Sequence, residues 1–168
     1  EIAADLTALA GVLDLTDLTT ASRLLVNQSV AFQGSLKVGA FDVEREQAVD
    51  WLRAPNVNGR PNAEVLRPWT NGMDVTRRPS GRWIIDFGND MPEVDASYFE
   101  GPFAHLLHFV KKGRASSREQ TSGKLWWLHH RPRPEMRRAL DGLGRYILTP
   151  RVAKFRLFVW RELAVLPD

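Results

Sequence analysis

The clearest hydrophobic pattern in this chain is a short run of bulky apolar residues that follows a segment rich in turn residues and arginine. Residues 83–87 read Trp-Ile-Ile-Asp-Phe, and aromatic and β-branched residues at this density favour a strand buried in a sheet. The segment before it contains Asn71-Gly72 and Pro79-Ser80-Gly81, which are residues that accept or impose turn geometry. We therefore predict a buried strand at 83–87 and turns that leave the neighbouring arginines at the rim of the sheet.

The N-terminal side of this strand shows weaker periodicities that predict short elements. Apolar residues punctuated by glycines over 29–43 predict strands that form a hairpin. Asp42 then stands where an N-cap is preferred, before a helix over about 43–53 whose apolar residues recur at helical spacing. A loop rich in Pro, Asn and Gly follows at 54–61, and about one helical turn at 62–66 ends before a proline.

The C-terminal side combines one long helical pattern with a basic segment and two further strands. Apolar residues over 92–114 recur at helical spacing, and Gly101-Pro102 is expected to split or kink that helix. The run 111–124 is rich in Lys, Ser and Gly and predicts a mobile basic loop. The remaining predicted elements are a helix over about 135–140 with Pro134 in its first turn, and strands over 145–149 and 154–161. Together these elements predict an α+β fold with a mixed or antiparallel sheet and peripheral helices.

Length and composition limit the class of protein. The 168 residues, 43% of them hydrophobic, suffice for one core, so we predict a single domain over 29–168, with 1–28 as a lead segment or a linker from a preceding domain. The sequence has no run of eighteen apolar residues and no cysteine, so we expect a soluble cytoplasmic protein with no disulfides and no membrane partner. Because the chain begins with Glu1 rather than Met, we expect a fragment of a longer protein, with the domain cut short at its C-terminus.

The charge distribution along the chain is strongly uneven. Residues 1–50 contain three basic and eight acidic side chains, whereas residues 111–161 contain fourteen basic and three acidic side chains together with Trp126, Trp127 and Trp160. Such a block is what a polyanion-binding face requires, because cations displace counterions from phosphates and rigid aromatic rings hold the cations in place. A solvated surface over a tryptophan core explains the same pattern, and charge alone leaves both interpretations open.

Several polar residues suggest a catalytic or metal-binding role, but each has a simpler structural explanation. His105 and His108 lie one helical turn apart and could bind a metal together with His129-His130, yet histidines flanked by Leu and Phe are more often packed in a core. Asp86 and Asp90 could coordinate a hard cation, but carboxylates that follow a strand are more often turn residues. No serine has the sequence context of a nucleophile. We therefore identify no self-sufficient active site and no metal site.

Several short motifs occur in an order that resembles a known domain. They are Leu66–Val75, Arg77-Arg78, Trp83–Phe87, Lys111–Arg114, Lys124–Trp127, Arg131–Pro134 and Tyr146–Lys154. Together they resemble the target recognition domain of adenine-N6 DNA methyltransferases, and within that group they look most like the MmeI-like enzymes, in which restriction and modification are fused. The resemblance covers about residues 29–160.

This resemblance implies that the chain is the DNA-reading part of a larger type II restriction-modification enzyme. In that family a separate domain binds S-adenosylmethionine at a glycine-rich turn and holds a flipped adenine with an Asn-Pro-Pro-Tyr or Asn-Pro-Pro-Phe motif. Neither that motif nor the family's nuclease signature occurs in this sequence. We therefore expect a non-catalytic fragment without a cofactor of its own. Its expected partners are double-stranded DNA and the methyltransferase domain of the same parent chain, a site-specific adenine DNA-methyltransferase.

The cations that we expect to contact DNA form three groups. Phosphate contacts are predicted for Lys111, Lys112, Arg114, Arg118 and Lys124, positions in the DNA groove for Arg131, Arg133, Arg151, Lys154 and Arg156, and either role for Arg77, Arg78 and Arg82. Trp126 and Trp127 are expected to be core anchors, because duplex binding does not require exposed rings. Two alternatives stay open: a non-enzymatic RNA- or single-strand-binding module, and a protein-interaction module that docks an acidic partner.

Overall fold

The structure is a computed structural model that describes residues 22, 25–115 and 123–168. The chain divides into two compact units, residues 1–32 and residues 33–168. In the described part of the first unit, a 3-10 turn spans Leu25–Asn27, and both Leu25 and Val26 are exposed. Most of the predicted lead segment and the middle of the predicted basic loop lie outside the described residues. Within the described ranges, no helix has the length and apolar character needed to cross a membrane.

The second unit mixes short helices and short strands, which confirms the predicted α+β class. In chain order the elements are β1 (Asp42–Val43), α1 (Arg45–Arg53), a 3-10 turn (Asn62–Glu64), β2 (Leu66–Thr70), α2 (Gly72–Thr76), β3 (Trp83–Ile85), α3 (Glu93–Ser97), α4 (Glu100–Phe109), α5 (Lys111–Ala115), α6 (Pro134–Leu140), β4 (Arg145–Leu148), β5 (Val159–Glu162) and β6 (Leu166–Pro167). The helix predicted at 135–140 and the strand predicted at 145–149 are therefore confirmed.

The main sheet is mixed and has four strands in the order β1-β3-β2-β6. β3 pairs antiparallel with β1 and with β2, and Leu66 lies opposite Ile85 in the second of these ladders. β6 pairs parallel with β2. β4 and β5 form a separate antiparallel ribbon, in which Ile147 lies opposite Trp160. The mixed sheet is one of the two sheet types expected from the sequence.

The hydrophobic core is built on β3, as the sequence pattern predicts. Ile84 and Ile85 are almost fully buried, and Phe87 follows them into the same core. Phe41 and Phe99 are completely buried against this cluster. The buried strand predicted at 83–87 is confirmed, although the strand itself ends at Ile85. A run of aromatic and β-branched residues identifies this strand because both of its faces are covered.

Trp126 and Trp127 are core residues, which confirms their predicted role as anchors. They are 3% and 6% exposed, and their rings meet edge to face with centroids 6.0 Å apart. Each indole N–H finds a partner: Trp126 donates to Glu93 Oε1 (3.1 Å) and Trp127 donates to the Met91 carbonyl (2.7 Å). Because a buried indole donor is costly without a partner, these bonds allow both rings to be buried.

The hairpin predicted over 29–43 is wrong. In this segment the structure has the two-residue strand β1 and an isolated bridge between Leu36 and Arg131. The Ser35 N–H donates to the carbonyl of Pro167 at 3.0 Å. The segment therefore pairs with chain that is distant in sequence rather than with itself, a choice that local alternation cannot reveal.

Asp42 does not cap the helix that follows it. The N-cap of α1 is Glu44, which makes no side-chain capping bond. The Asp42 carboxylate instead accepts hydrogen bonds from Lys37 and Arg82. Hydrogen bonds from charged donors are stronger than those from a neutral backbone N–H, which explains why the carboxylate faces these cations.

The helical pattern over 92–114 is interrupted at two places, and neither is the one predicted. The breaks lie at Tyr98-Phe99, between α3 and α4, and at Val110, between α4 and α5, while Gly101-Pro102 lies in the first turn of α4. Proline is tolerated there because N–H groups of the first turn have no intrahelical acceptor. Gly101 packs against Trp51, and a Cβ at this glycine would lie 2.7 Å from the indole ring. Glycine is therefore required for close packing rather than for a kink.

Three further corrections concern segments that contain predicted DNA-contacting cations. Asn71-Gly72 begins a helix, α2, instead of forming a turn. Residues 111–115 are the helix α5 rather than the start of a mobile loop. The strand predicted at 154–161 begins only at Val159, so Phe155 belongs to the loop between β4 and β5. Each error follows from local patterns that fit two structures, such as Asn-Gly, which serves as a turn or as a helix start.

Candidate nucleic-acid interface

A groove of about 740 Å³ lies beside α2 in the unit formed by residues 33–168. Its lining comes from the end of β2, from α2 and from residues 152–157 of the loop between β4 and β5, together with Asp168. These segments are far apart in sequence, so the groove exists only in the folded chain. Its volume lies in the range of ligand-binding sites in proteins.

A capping box fixes the start of α2 at the groove. Asn71 Oδ1 accepts hydrogen bonds from the N–H groups of Met73 (2.7 Å) and Asp74 (3.1 Å), and Asp74 Oδ2 accepts from the Asn71 N–H (2.9 Å). Asp74 Oδ1 accepts from the Ser80 N–H (2.7 Å). Burial raises the pKa of Asp74, but the hydrogen bonds from Ser80 and Asn71 outweigh it and hold the pKa below its usual value. The charged carboxylate therefore fixes both the helix start and the arginine-bearing loop that follows.

The loop 149–158 is placed beside α2 by Pro150. A Cβ at Gly72 would lie 3.5 Å from Pro150 Cβ, so a side chain at position 72 would contact the loop. Arg156 Nη1 donates to the carbonyl of Pro150 (3.1 Å) and lies 3.4 Å from that of Arg151. Arg156 therefore holds the conformation of its own loop. The ladder between β4 and β5 ends at the pair Leu148 and Val159, so the loop's position depends on these contacts.

The groove combines exposed apolar side chains with cations. Met73, Phe155 and Leu157 line it and are 60%, 67% and 39% exposed. Arg77 and Lys154 belong to the same lining, and Asp168 is its acidic member. Clustered large apolar side chains on a surface mark interaction sites more often than chance exposure does. The groove can therefore bind a ligand that has both apolar and anionic parts.

The apolar lining residues were not predicted as site residues from the sequence. Phe155 and Leu157 alternate with polar residues, which suggested the covered face of a strand. Met73 follows an Asn-Gly pair that suggested a turn. The signal that could have identified α2 is Asn71 with Asp74 three residues later, since this spacing is that of a capping box.

Several predicted DNA-contacting cations are exposed and have no side-chain partner among residues 22, 25–115 and 123–168: Arg77, Arg78, Lys112, Lys124, Arg131 and Arg151. Lys154 is exposed as well, with its ammonium 5.3 Å from the centroid of the Phe155 ring. The structure brings Arg77 and Lys154 together at the groove. Unpaired cations of this kind are available to an anionic ligand without the cost of breaking an existing ion pair.

Two other predicted cations are engaged in ion pairs. Arg82 donates to the carboxylates of Asp42 and Glu44. Lys111 Nζ lies 3.8 Å from Glu93 Oε1. Contact with DNA would require these side chains to exchange one anionic partner for another. They are weaker candidates for phosphate contacts than the unpaired cations.

Arg133 serves the local backbone structure. It has a left-handed conformation with φ of 59° directly before α6. Its guanidinium donates to the Gly34 carbonyl (3.2 Å) and to Gln33 Oε1 (2.6 Å). The side chain thus ties the start of α6 to residues 33–34. Arg118, the remaining member of the predicted phosphate group, lies outside the described residues.

Arg114 is a buried structural cation. Only 5% of the residue is exposed, and its guanidinium donates to the carbonyls of Lys37, Val38, Leu125 and Leu128. Burial lowers the pKa of Arg114 to about 10, so the side chain remains charged at neutral pH. Because its donors are already occupied by backbone carbonyls, Arg114 is not part of the surface that we propose below.

Asp86 belongs to a buried ionic cluster. Arg137 donates two hydrogen bonds of 2.8 Å to its carboxylate, and Arg67 Nη1 lies 3.9 Å away. His129 Nδ1 lies 4.0 Å from Asp86 Oδ1, and His129 Nε2 is 2.9 Å from the Ile85 carbonyl. Burial raises the pKa of Asp86, but the Arg137 hydrogen bonds outweigh it, so the net pKa lies below its usual value. The cluster joins β3 to α6 and is an element of the core.

His105 and His108 pack locally. His105 Nε2 lies 3.0 Å from the carbonyl of Ala40, and its ring meets Trp51 edge to face at 5.6 Å. The His108 ring meets Phe109 in the same way at 4.5 Å. Among the described residues, no group of three His, Cys, Asp or Glu side chains is arranged to hold a metal ion.

Comparison with models of known protein families, with curated proteins and with solved structures finds no match for this chain. The resemblance to a target recognition domain therefore rests on the ordered motifs alone. What it implies about function is developed below as a proposal.

Proposed function

We propose that residues 33–168 are a sequence-specific recognition domain for duplex DNA, which positions a separate adenine-N6 methyltransferase domain of the same parent chain. The observation that carries this proposal is the groove at which Arg77 and Lys154 lie together. Two cations from distant segments on one concave surface offer the phosphate contacts that fix a protein on DNA. Arg78 and Arg151, which are close in sequence to Arg77 and Lys154, are exposed and unpaired among the described residues. They can neutralise further phosphates.

The ordered sequence motifs support the enzymatic part of the proposal. In the family that they resemble, the recognition domain reads DNA while another domain transfers the methyl group. We therefore infer that the parent is a cytoplasmic adenine-specific DNA-methyltransferase of a restriction-modification system. S-adenosylmethionine binds the catalytic domain in this proposal, outside residues 33–168.

Exposed aromatic side chains favour a second candidate, an RNA- or single-strand-binding module. Phe155, Phe158 and Trp160 are exposed in or beside the loop 149–158, and the Arg145 guanidinium lies 4.2 Å from the centroid of the Trp160 ring. Unpaired bases stack on such rings with little regard to sequence. A duplex cannot use them in this way, because its bases are already stacked on one another.

Competition binding separates the two candidates. Fluorescence anisotropy of a labelled duplex at low salt is followed as unlabelled duplex, single-stranded DNA or single-stranded RNA of the same sequence is added. We expect duplex to compete best, and Arg77→Gln and Lys154→Gln to weaken duplex binding. Arg53→Gln is the matched control, because Arg53 is exposed on α1 and does not line the groove. Stronger competition by a single strand favours the second candidate, and no duplex binding at low salt contradicts the proposal.

A further inference from the structure

We propose that the apolar wall of the groove reads base identity by contacting the C5-methyl groups of thymine in the DNA major groove. The inference rests on the proposed function, since it assigns a role to the apolar part of a surface that binds duplex DNA. In this proposal the two kinds of side chain in the groove have different roles. The side chains of Met73, Phe155 and Leu157 face the base edges, and those of Arg77 and Lys154 face the phosphates.

The exposed apolar residues of the groove need a partner that phosphate contacts do not supply. Met73 and Phe155 each present more than half of their surface to solvent, and Leu157 more than a third. Apolar atoms gain free energy when they leave water for other apolar atoms. Contact between an apolar side chain and a charged phosphate oxygen is unfavourable, because the oxygen loses hydrogen bonds to water and gains none in return. The groove therefore fits a ligand with an apolar group close to its anionic groups.

Duplex DNA offers one such group. In the major groove, each base edge presents hydrogen-bond donors and acceptors, and thymine alone adds a methyl group. That methyl group lies between the two phosphate backbones, so a protein surface that reaches it must also carry cations. Arg77 and Lys154 meet this requirement, whereas Asp168 repels phosphate from its part of the lining. The mixture of chemistry in the groove thus matches a thymine-bearing edge of a duplex.

Aliphatic side chains distinguish methyl contact from base stacking. Of the four exposed large apolar residues in the groove, Met73, Val152 and Leu157 have no ring on which a base could stack. The other aromatic member of the lining, Trp69, is partly buried and lies opposite Leu166 in the main sheet. Stacking of an unpaired base would leave the aliphatic side chains without a role. Contact with thymine methyl groups uses the aliphatic and the aromatic side chains alike.

The test removes the methyl group and nothing else. Duplexes that bind the full 168-residue chain are enriched from a random-sequence pool, and the enriched pool is then copied once with thymine and once with uracil. Uracil pairs like thymine but has a hydrogen atom in place of the C5-methyl group. We expect the uracil copy to bind about fourfold more weakly for each thymine methyl group that the groove touches, from the usual transfer free energy of one methyl-sized group.

Variants connect this preference to the groove. The double variant Met73→Ala/Phe155→Ala should show a smaller preference for the thymine copy than the wild-type chain does, and should keep the wild-type salt dependence. Val57→Ala is the matched control, because Val57 is also exposed but does not line the groove, and it should keep the preference for thymine. Thermal melting of each variant checks that the fold is intact.

Each outcome has a distinct meaning. Equal binding of the thymine and uracil copies by the wild-type chain overturns this inference but leaves duplex recognition standing. A thymine preference that is undiminished in Met73→Ala/Phe155→Ala also overturns it, because the methyl group is then contacted elsewhere. Failure to bind any duplex at low salt contradicts the proposed function itself.

Discussion

Gly72, the first residue of α2, leaves room for no more than a small side chain between α2 and Pro150 of the loop between β4 and β5. A Cβ at Gly72 would be 3.5 Å from Pro150 Cβ, which is an ordinary van der Waals distance. The helix that precedes β3 and a loop from the C-terminal part of the chain thus approach each other here, and both line one groove. The position of the cations on the loop relative to Arg77 therefore depends on the size of residue 72.

A larger residue at position 72 should open the groove. Gly72→Ala adds a methyl group that the contact accepts, and duplex binding should stay within a factor of about two of the wild type. Gly72→Leu adds branches that overlap Pro150 and displace the loop, and duplex binding should weaken about tenfold, or ~1.4 kcal/mol. Anisotropy titrations of the two variants make this comparison. Equal affinity of the two would mean that the loop's position does not matter for binding.

The buried pair of Asp86 and Arg137 should dominate the effect of charge on stability. Asp86→Asn leaves the Arg137 guanidinium without a counter-charge in the core, and we expect the free energy of unfolding to fall by about 3–5 kcal/mol. Asp90→Asn is the matched control, because Asp90 is exposed, and it should change the free energy by less than about 0.5 kcal/mol. Urea denaturation followed by tryptophan fluorescence measures both values.

The same cluster predicts how stability depends on pH. Burial holds the pKa of His129 below its ordinary value of 6.5, so the unfolded chain binds more protons than the folded chain below that pH. The free energy of unfolding should therefore fall as the pH falls from 6.5 through the folded pKa. Asp86, whose folded pKa is also lowered, adds a further loss below about pH 4, near the ordinary value for Asp. Urea denaturation across this pH range measures the direction of the change. A free energy of unfolding that increases on acidification from pH 6.5 would contradict the prediction.

Arg114 and Lys112 lie two residues apart on α5 and should behave differently. Arg114→Lys cannot reproduce the fork of donors that reaches four backbone carbonyls, and it should lower the free energy of unfolding by about 2–4 kcal/mol. Lys112→Gln, at an exposed position, should change stability by less than about 0.5 kcal/mol. The salt dependence of duplex binding is measured for Lys112→Gln and for Arg114→Gln, which removes the charge that Arg114→Lys keeps. A phosphate contact by Arg114 would appear as a shallower salt dependence in Arg114→Gln than in the wild type, which we do not expect.

The sequence predicts the parts of the fold in which local pattern and burial agree. The run Trp83-Ile84-Ile85 is apolar on both faces and lies in the centre of a sheet. Pro134 is the first residue of α6, a position that proline favours in helices. Residues 29–43 have a comparable alternation but pair with distant segments, through contacts such as Leu36 with Arg131. Alternation predicts an extended backbone, but it does not identify the partner.

The candidate site is predictable only in part, for the same reason. The basic block at 111–161 selects Lys154, and the turn-rich segment before β3 selects Arg77. Neither pattern shows that the two residues share a groove, because that depends on how the loop 149–158 folds beside α2. Charge counting also selects Arg114, whose burial depends on carbonyls distant in sequence, including that of Val38. The sequence identifies a basic residue only as a candidate for binding. The structure shows whether its N–H groups are available to a ligand or already bound to other groups of the protein.

The most direct test of the account is the salt dependence of duplex binding for the wild-type chain and for the double variant Arg77→Gln/Lys154→Gln. If both side chains contact phosphates, the slope of log K against log salt concentration should be shallower in the double variant by about 1.8, since each phosphate contact contributes about 0.9. Arg53→Gln should leave the slope unchanged. A double variant with the slope and affinity of the wild type would contradict the claim that this groove binds DNA.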